Sequence, residues 1–283
     1  MQIVNNYRLL TKIGKGSYGE VWKAHHIHKK KEVAIKFEKK SRKKYLKLET
    51  AILRYLSDIS QIPFVKFYGE LEHFNYMIME LLGTTVNEYY YNIPNGDIGE
   101  IKWIGLKMLS SIREIHNNGI IHRDIKPDNF LLTCNEKNIK LIDFGLAKHY
   151  IDVNGNHRQL IKHNNIMGTP RYISIHVHEK NDPSRRDDLI SFVYTLLFLL
   201  GYGLPWQGLK GENREEKIAN IYVLKKGISY NKLCEIVLSN VSSSWNKSKI
   251  YEKMKQLLEY TYSLSYEETP NYEYISFLLK TIL

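Results

Sequence analysis

The stretch HRDIKPDN, His122 to Asn129, carries the reading of the chain. It follows a helix stop at Asn118-Gly119 and runs into the short apolar segment FLL at 130–132. Asp124 and Asn129 are separated by four residues. A carboxylate there can orient a hydroxyl nucleophile and accept its proton. An amide oxygen five positions on suits a hard divalent cation, Mg²⁺ above all. Lys126 between them can neutralise charge on a transferred group. Alone, the string would also suit an ordinary polar loop.

Nineteen residues beyond Asp124 comes DFG, Asp143 to Gly145, directly after the strand-like IKLI. A carboxylate at a strand end beside a flexible glycine suits a metal that bridges phosphates. Upstream, GKGSYGEV (14–21) places Gly14, Gly16 and Gly19 as G-x-G-x-x-G. A dinucleotide fold needs that pattern between a strand and a helix. Here a strand follows, so it reads as a hairpin whose backbone N–H groups can approach phosphates. Lys36 lies in VAIK, 17 residues past Gly19, and Glu49 lies on the next predicted helix, within reach of an ion pair that would hold the ammonium against nucleotide phosphates. One of these motifs could be chance; all four in this order and spacing are not.

The 283 residues suit two modest domains or one domain with two lobes. Strands are predicted at 7–13, 20–27, 32–38, 64–71 and 75–81, with one helix at 44–58. After residue 85 the texture turns helical, with a long amphipathic helix at 98–119, short strands near 130–133 and 139–142, and a loop to about 172. This is an α+β chain: a strand-rich N-terminal lobe (about 1–80), a hinge (about 81–85) and a mainly helical C-terminal lobe (about 86–283), with a cleft expected at the junction. The apolar run Leu189–Leu204 is short for a membrane span and reads as a core helix.

The net charge is +11, and residues 1–50 hold 14 Lys/Arg against 4 Asp/Glu, so the rest is nearly balanced. The basic run His28–Lys47 lacks interleaved aromatics, and no nucleic-acid motif accompanies it, so a solvated surface is expected rather than a nucleic-acid partner. Two cysteines, Cys134 and Cys234, form neither a disulfide framework nor a metal spacing. With no secretory signal read at the N-terminus, an intracellular protein, cytoplasmic or nuclear, is expected.

The chain resembles eukaryotic-type protein kinases over nearly its whole length and, more narrowly, the casein kinase 1 family of Ser/Thr kinases. The resemblance rests on MIMELLG (77–83), HRDIKPDNFL (122–131), LIDFGLAK (141–148), GTPRY (168–172), SRRDDL (184–189) and LPWQGLK (204–210). SIHVH (174–178) stands where most kinases carry Ala-Pro-Glu and is similar to that family's Ser-Ile-Asn. The resemblance implies ATP and Mg²⁺ as cofactors, with Lys36 and Glu49 as the ATP-anchoring pair. It makes Asp124 the catalytic base assisted by Lys126, with Asn129 and Asp143 as metal ligands. Ile13, Gly14, Gly16, Gly19, Val21, Ala34 and Leu132 would surround the nucleotide, with Met79 as gatekeeper and Glu80 and Leu82 on the hinge. Asp188 matches a buried aspartate that supports the catalytic loop; the glycine usual five residues later is Val193.

Leu146–Met167 contains no Ser or Thr, and its one hydroxyl is Tyr150. Activity without loop phosphorylation is therefore expected. Lys148, Arg158 and Lys162, with three histidines, oppose only Asp152 in this segment, which favours acidic protein substrates. The family resemblance further implies an anion site from Arg171, Gly208 and Lys217, suited to a phosphate placed upstream of the target hydroxyl. Glu215 and Glu216 stand beside it and would lower its potential. A monomer acting on acidic or phosphate-primed proteins is the expectation; a pseudokinase scaffold is the rival that retention of Lys36, Glu49, Asp124, Asn129 and Asp143 opposes.

Overall fold

The computed structural model describes residues 3–16, 19–41, 45–92, 97–134, 138–239, 241 and 245–282. Ser17 and Tyr18 of the glycine-rich hairpin, and Arg42 to Lys44 of the basic run, lie outside the described residues. The chain divides into two compact units, Met1–Thr84 with Leu131–Ala147, and Thr85–Phe130 with Lys148–Leu283.

The first unit is built on an antiparallel sheet. Its strands are β1 (Ile3–Val4), β2 (Tyr7–Gly16), β3 (Gly19–His26), β4 (Glu32–Lys39), β5 (Val65–Glu70) and β6 (Phe74–Met79), in the order β1-β2-β3-β4-β6-β5. One face is closed by a cluster of Val4, Ala24, Val33, Ile35, Tyr76 and Ile78. The other face receives α1 (Tyr45–Tyr55), whose buried stripe includes Leu46, Glu49, Thr50 and Leu53. Sheet side chains alternate between faces, so Lys36 lies on the α1 side of β4, opposite Met77 of β6. Thr50 of α1 touches Met77 Sδ at 3.2 Å, which fixes the helix over that point. Glu38 is buried and accepts the Leu46 N–H at 3.0 Å and Asn75 Nδ2 at 3.2 Å. It thereby satisfies one of the orphan donors at the start of α1. A short strand pair, Phe130–Leu132 with Ile139–Leu141, follows later in the chain.

The second unit is helical: α2 (Val86–Tyr91), α3 (Ile98–Asn117), α4 (Ile175–His178), α5 (Arg185–Gly201), α6 (Arg214–Gly227), α7 (Tyr230–Ser239), α8 (Lys247–Ser263) and α9 (Tyr272–Lys280). The apolar run singled out in the sequence is α5. It is buried along almost its whole length and packs against α3, α7 and α8, as expected of a helix apolar on every side. Among the described residues no helix is long and apolar enough to cross a membrane. Helix α3 ends at Asn117, and Gly119 beyond it takes φ +74°, the left-handed stop that Asn118-Gly119 predicted.

Three features depart from the sequence reading. Helix α2 was not foreseen, although Thr85-Val-Asn-Glu88 spells the capping box that starts it: Glu88 N–H donates to Thr85 Oγ1 and Thr85 N–H to Glu88 Oε2, both at 3.1 Å. The segment expected as one loop to residue 172 contains a short strand, Lys148–His149, paired antiparallel with Ile120–Ile121. It also forms bridges at Ile151–His157 and Lys162–Asn181.

Candidate active site

In the first unit, the glycine-rich segment is the β2–β3 hairpin, and it closes with Gly16 opposite Gly19. A Cβ on Gly19 would lie 1.7 Å from the Phe37 carbonyl oxygen, so β4 approaches too closely for any side chain. The β2–β3 register shifts between Lys12 and Gly14, which takes Ile13 out of the ladder. Val21 pairs with Lys36, and Ala34 with Met79. Leu132 is tied to the 81–85 segment: its N–H donates to Thr84 O at 2.9 Å, and its carbonyl accepts Gly83 N–H at 2.7 Å. The Glu80 carboxylate accepts Lys140 Nζ at 2.8 Å, while its N–H donates to Phe64 O. The expected nucleotide-lining residues of this unit therefore follow from one sheet and one strand pair.

Lys36 Nζ donates to both Glu49 oxygens, at 3.0 and 2.8 Å, and to Asp143 Oδ1 at 2.9 Å. Burial works against the Lys36 charge, but the Glu49 and Asp143 carboxylates outweigh it and hold the ammonium above the ordinary lysine range. Burial pushes the Glu49 carboxyl up while Lys36 pulls it back. With two carboxylates around one cation, the charged ammonium dominates the cluster. Asp143 takes a left-handed backbone, φ 63° and ψ 65°, where it starts the turn Phe144–Leu146. A non-glycine residue is held there at a cost of about 1–3 kcal/mol, a pattern concentrated at functional sites.

In the second unit, both oxygens of Asp124 are engaged. Thr169 Oγ1 donates to Oδ1 at 2.7 Å, and Lys126 Nζ to Oδ2 at 2.6 Å. Lys126 also reaches Thr169 Oγ1 at 3.1 Å. Asn129 Nδ2 donates to the Asp124 carbonyl at 2.8 Å and to Oδ2 at 3.2 Å. The Asn129 amide is thus oriented by its two hydrogen bonds to Asp124. Asp143 of the first unit and Asn129 of the second each carry a hard oxygen donor of the kind Mg²⁺ takes, which suits the expectation drawn for them from the sequence. Thr169 was not among the sequence candidates; it sits inside Gly-Thr-Pro, and nothing local marks it as a partner of a carboxylate 45 positions away.

Asp188 anchors the backbone just before Asp124. Its Oδ2 accepts His122 N–H at 2.7 Å and its Oδ1 accepts Arg123 N–H at 2.8 Å, with Arg123 at φ +69°. Burial pushes the His116 pKa down, leaving a neutral ring. Its Nε2–H points at Asp188 Oδ2, 3.1 Å away, and its Nδ1 accepts from the Tyr272 hydroxyl at 2.6 Å. Burial works against the Asp188 charge, but the donors from His116 and His122 win, holding the carboxyl below its ordinary range. Val193 is fully buried in α5.

Arg171, Gly208 and Lys217, the proposed anion-binding trio, line one groove of about 470 Å³. Lys126 and Thr169 line the same groove, so it runs to the residues that hold Asp124. Gly208 adopts φ +82°, open to glycine and strained for other residues. Arg214, at the start of α6, lines the groove too and was overlooked because it stands among acids in the sequence. Glu215 and Glu216, expected to lower the potential of this site, stand on α6 beside Lys217. Neither lines the groove. The Glu216 carboxylate turns back onto the Glu212 N–H, and both acids occupy the first turn of α6, where the helix dipole favours them. Asp128 is the one carboxylate among the groove-lining residues, and it accepts Asn87 Nδ2 at 3.0 Å.

The cations of the 146–167 segment are less available than their number suggested. Asp182, buried, accepts Lys148 Nζ and His163 Nε2, each at 2.7 Å. Arg158 Nε donates to the His149 carbonyl. His176 and His178 pack against the rings of Tyr262 and Tyr222, each with centroids 5.8 Å apart.

The Protein kinase domain family matches residues 7–273. The chain is 33% identical to Casein kinase I homolog 3 of Schizosaccharomyces pombe (strain 972 / ATCC 24843) over 285 residues, covering 98% of this chain and 62% of that protein. The chain thus spans a little under two thirds of the curated relative's length. The match to the kinase domain agrees with the ordered motifs at Lys36, Asp124 and Asp143: the chain belongs to the protein kinase family and is similar along nearly its whole length to a casein kinase I.

Proposed function

We propose that the chain transfers the γ-phosphoryl group of ATP, with Mg²⁺, to Ser or Thr hydroxyls of acidic or phosphate-primed protein segments, and does so without phosphorylation of its own 146–167 segment. The observation that carries the reading is the Asp124 carboxylate, held by Thr169, Lys126 and Asn129 at a groove lined by Arg171, Arg214 and Lys217. Asp124 orients the substrate hydroxyl and accepts its proton as the oxygen attacks phosphorus. Lys126, hydrogen-bonded to that carboxylate, offers its charge to the transferred group. Lys36, fixed by Glu49 and Asp143, anchors the nucleotide phosphates. Mg²⁺ held by Asp143 and the Asn129 oxygen would neutralise charge on the phosphate oxygens. Arg171, with Lys217 and Arg214 as further cations, receives a phosphate or carboxylate of the substrate.

Independence from loop phosphorylation is supported by Tyr150. It is the single hydroxyl of the segment, and it is buried, donating to His116 O at 2.7 Å and lying under the Arg185 guanidinium at 4.5 Å. The test is phosphosite mapping with the unphosphorylated recombinant chain, ATP and Mg²⁺, on degenerate peptides with and without a phosphoserine three residues upstream of the acceptor. Transfer to Ser/Thr, highest on primed or acidic peptides and lost in Asp143→Asn, is expected. No transfer, or transfer only after another kinase modifies the segment, overturns the reading.

A further inference from the structure

Helix α6 sends Lys225 beneath the turn that carries Arg171. Lys225 is 2% exposed, and the acceptors it meets are carbonyls: Pro170 O at 2.9 Å and Ile173 O at 2.6 Å. Its ammonium also lies over the rings of Tyr194, at 4.9 Å, and Trp206, at 5.0 Å. Burying an amine without a carboxylate is unfavourable, and burial indeed pushes its pKa well down. Aromatic faces and carbonyl oxygens are the compensation available to it.

What the amine holds is informative. Of the two carbonyls between its acceptors, that of Arg171 accepts Trp206 Nε1–H at 2.8 Å. The N–H groups of Tyr172 and Ile173 return to Thr169 O at 2.9 and 3.2 Å. The backbone from Pro170 to Ile173 is therefore tied at three carbonyls, two of them by one side chain. The Arg171 guanidinium leaves this fixed turn over the Phe198 ring, 5.5 Å from its centroid. An arginine on a tied turn loses less conformational entropy when it meets an anion.

We propose that Lys225 and Trp206 form an internal clamp that aims Arg171 into the groove, making Lys225 a positioning residue for recognition of a phosphate on the substrate. The proposal rests on the reading of that groove as the substrate-anion site.

The experiment compares wild type, Lys225→Met, Lys225→Arg, Trp206→Phe and Arg171→Ala on a phosphoserine-primed peptide and its unprimed twin. The readout is the primed-to-unprimed ratio of kcat/KM. Lys225→Met lowers that ratio by about tenfold, the scale of one misaligned hydrogen bond to a charged group, through KM for the primed peptide. Trp206→Phe moves it the same way, and Lys225→Arg, which keeps a buried donor, restores part of it. An unchanged ratio in Lys225→Met beside a lowered one in Arg171→Ala overturns the clamp, as does an equal loss on both peptides. Should Lys225→Met fail to fold, Trp206→Phe and Lys225→Arg read the same ratio.

A wild type without priming preference sinks the groove reading, and a second measurement then decides the clamp separately. The Trp206 indole ¹H–¹⁵N resonance, assigned by its loss in Trp206→Phe, shifts and exchanges faster in Lys225→Met, or in Lys225→Arg if the former does not fold. A resonance that does not move overturns the clamp whatever the peptides show.

Discussion

Replacing Asp188 by Asn changes one oxygen to an amide at the point where three N–H donors converge. The carboxylate accepts His122 N–H, Arg123 N–H and His116 Nε2–H at 2.7, 2.8 and 3.1 Å, and its residue is 1% exposed. An asparagine can place its oxygen toward His122 and His116, which directs its NH₂ at the Arg123 N–H. That donor is left unsatisfied in the interior, at about 1–3 kcal/mol, and the two retained bonds each fall by about 1 kcal/mol from charged to neutral strength. The sum is about 3–5 kcal/mol, a large share of the 5–15 kcal/mol typical of a folded domain. Urea denaturation at pH 7 should show the midpoint falling with little change in slope. Activity should fall as well, because the loosened backbone is that of Arg123, next to Asp124.

The pH dependence separates charge from packing. The folded Asp188 carboxyl lies below its unfolded value, so its stabilisation is fully present above the unfolded pKa, about 4. It is lost as the pH falls through the folded pKa. The gap between wild type and Asp188→Asn should therefore be constant near neutrality and close below about pH 4. A stability change under about 1 kcal/mol at pH 7, or a gap that persists unchanged in acid, would refute the reasoning.

Gly19→Ala forces a Cβ against the Phe37 carbonyl and should raise KM for ATP by about tenfold or more by opening the β2–β3 hairpin, while Gly16→Ala, which meets nothing within 4 Å, raises it less; steady-state kinetics against ATP checks both. Tyr150→Phe removes the bond to His116 O and should destabilise by about 1 kcal/mol, yet retain transfer activity, since the Tyr150 side chain is buried; loss of transfer beside retained folding contradicts the proposed independence from loop phosphorylation. Arg214→Ala should raise KM several-fold for acidic or primed peptides and flatten the salt dependence, whereas Glu216→Gln should change KM little, because its carboxylate turns back to the Glu212 N–H. An inverse result in a peptide titration at two ionic strengths would reassign the groove's charge to the acids.

The sequence alone determined the architecture and most of the candidate site. Period-two and helical spacings are local properties, and they located β2 to β6, α1, α3 and α5 to within a few residues. The motif spacings picked out Lys36, Glu49, Asp124, Asn129 and Asp143 as candidates, because phosphoryl transfer calls for a base, cations and oxygen donors for a metal. Helix α2 was legible too, in the capping box at Thr85. Choice of partner was not, because it depends on packing between segments far apart in the chain. Lys148 and His163 looked like free charge until the fold gave both to Asp182, and Glu216 looked like a neighbour of the groove until its carboxylate turned back on α6. Thr169 on Asp124, Arg214 in the groove and Lys225 under the Arg171 turn have no local signature. A lysine is drawn identically in sequence whether water or two buried carbonyls receive its hydrogens, and only the tertiary structure decides which.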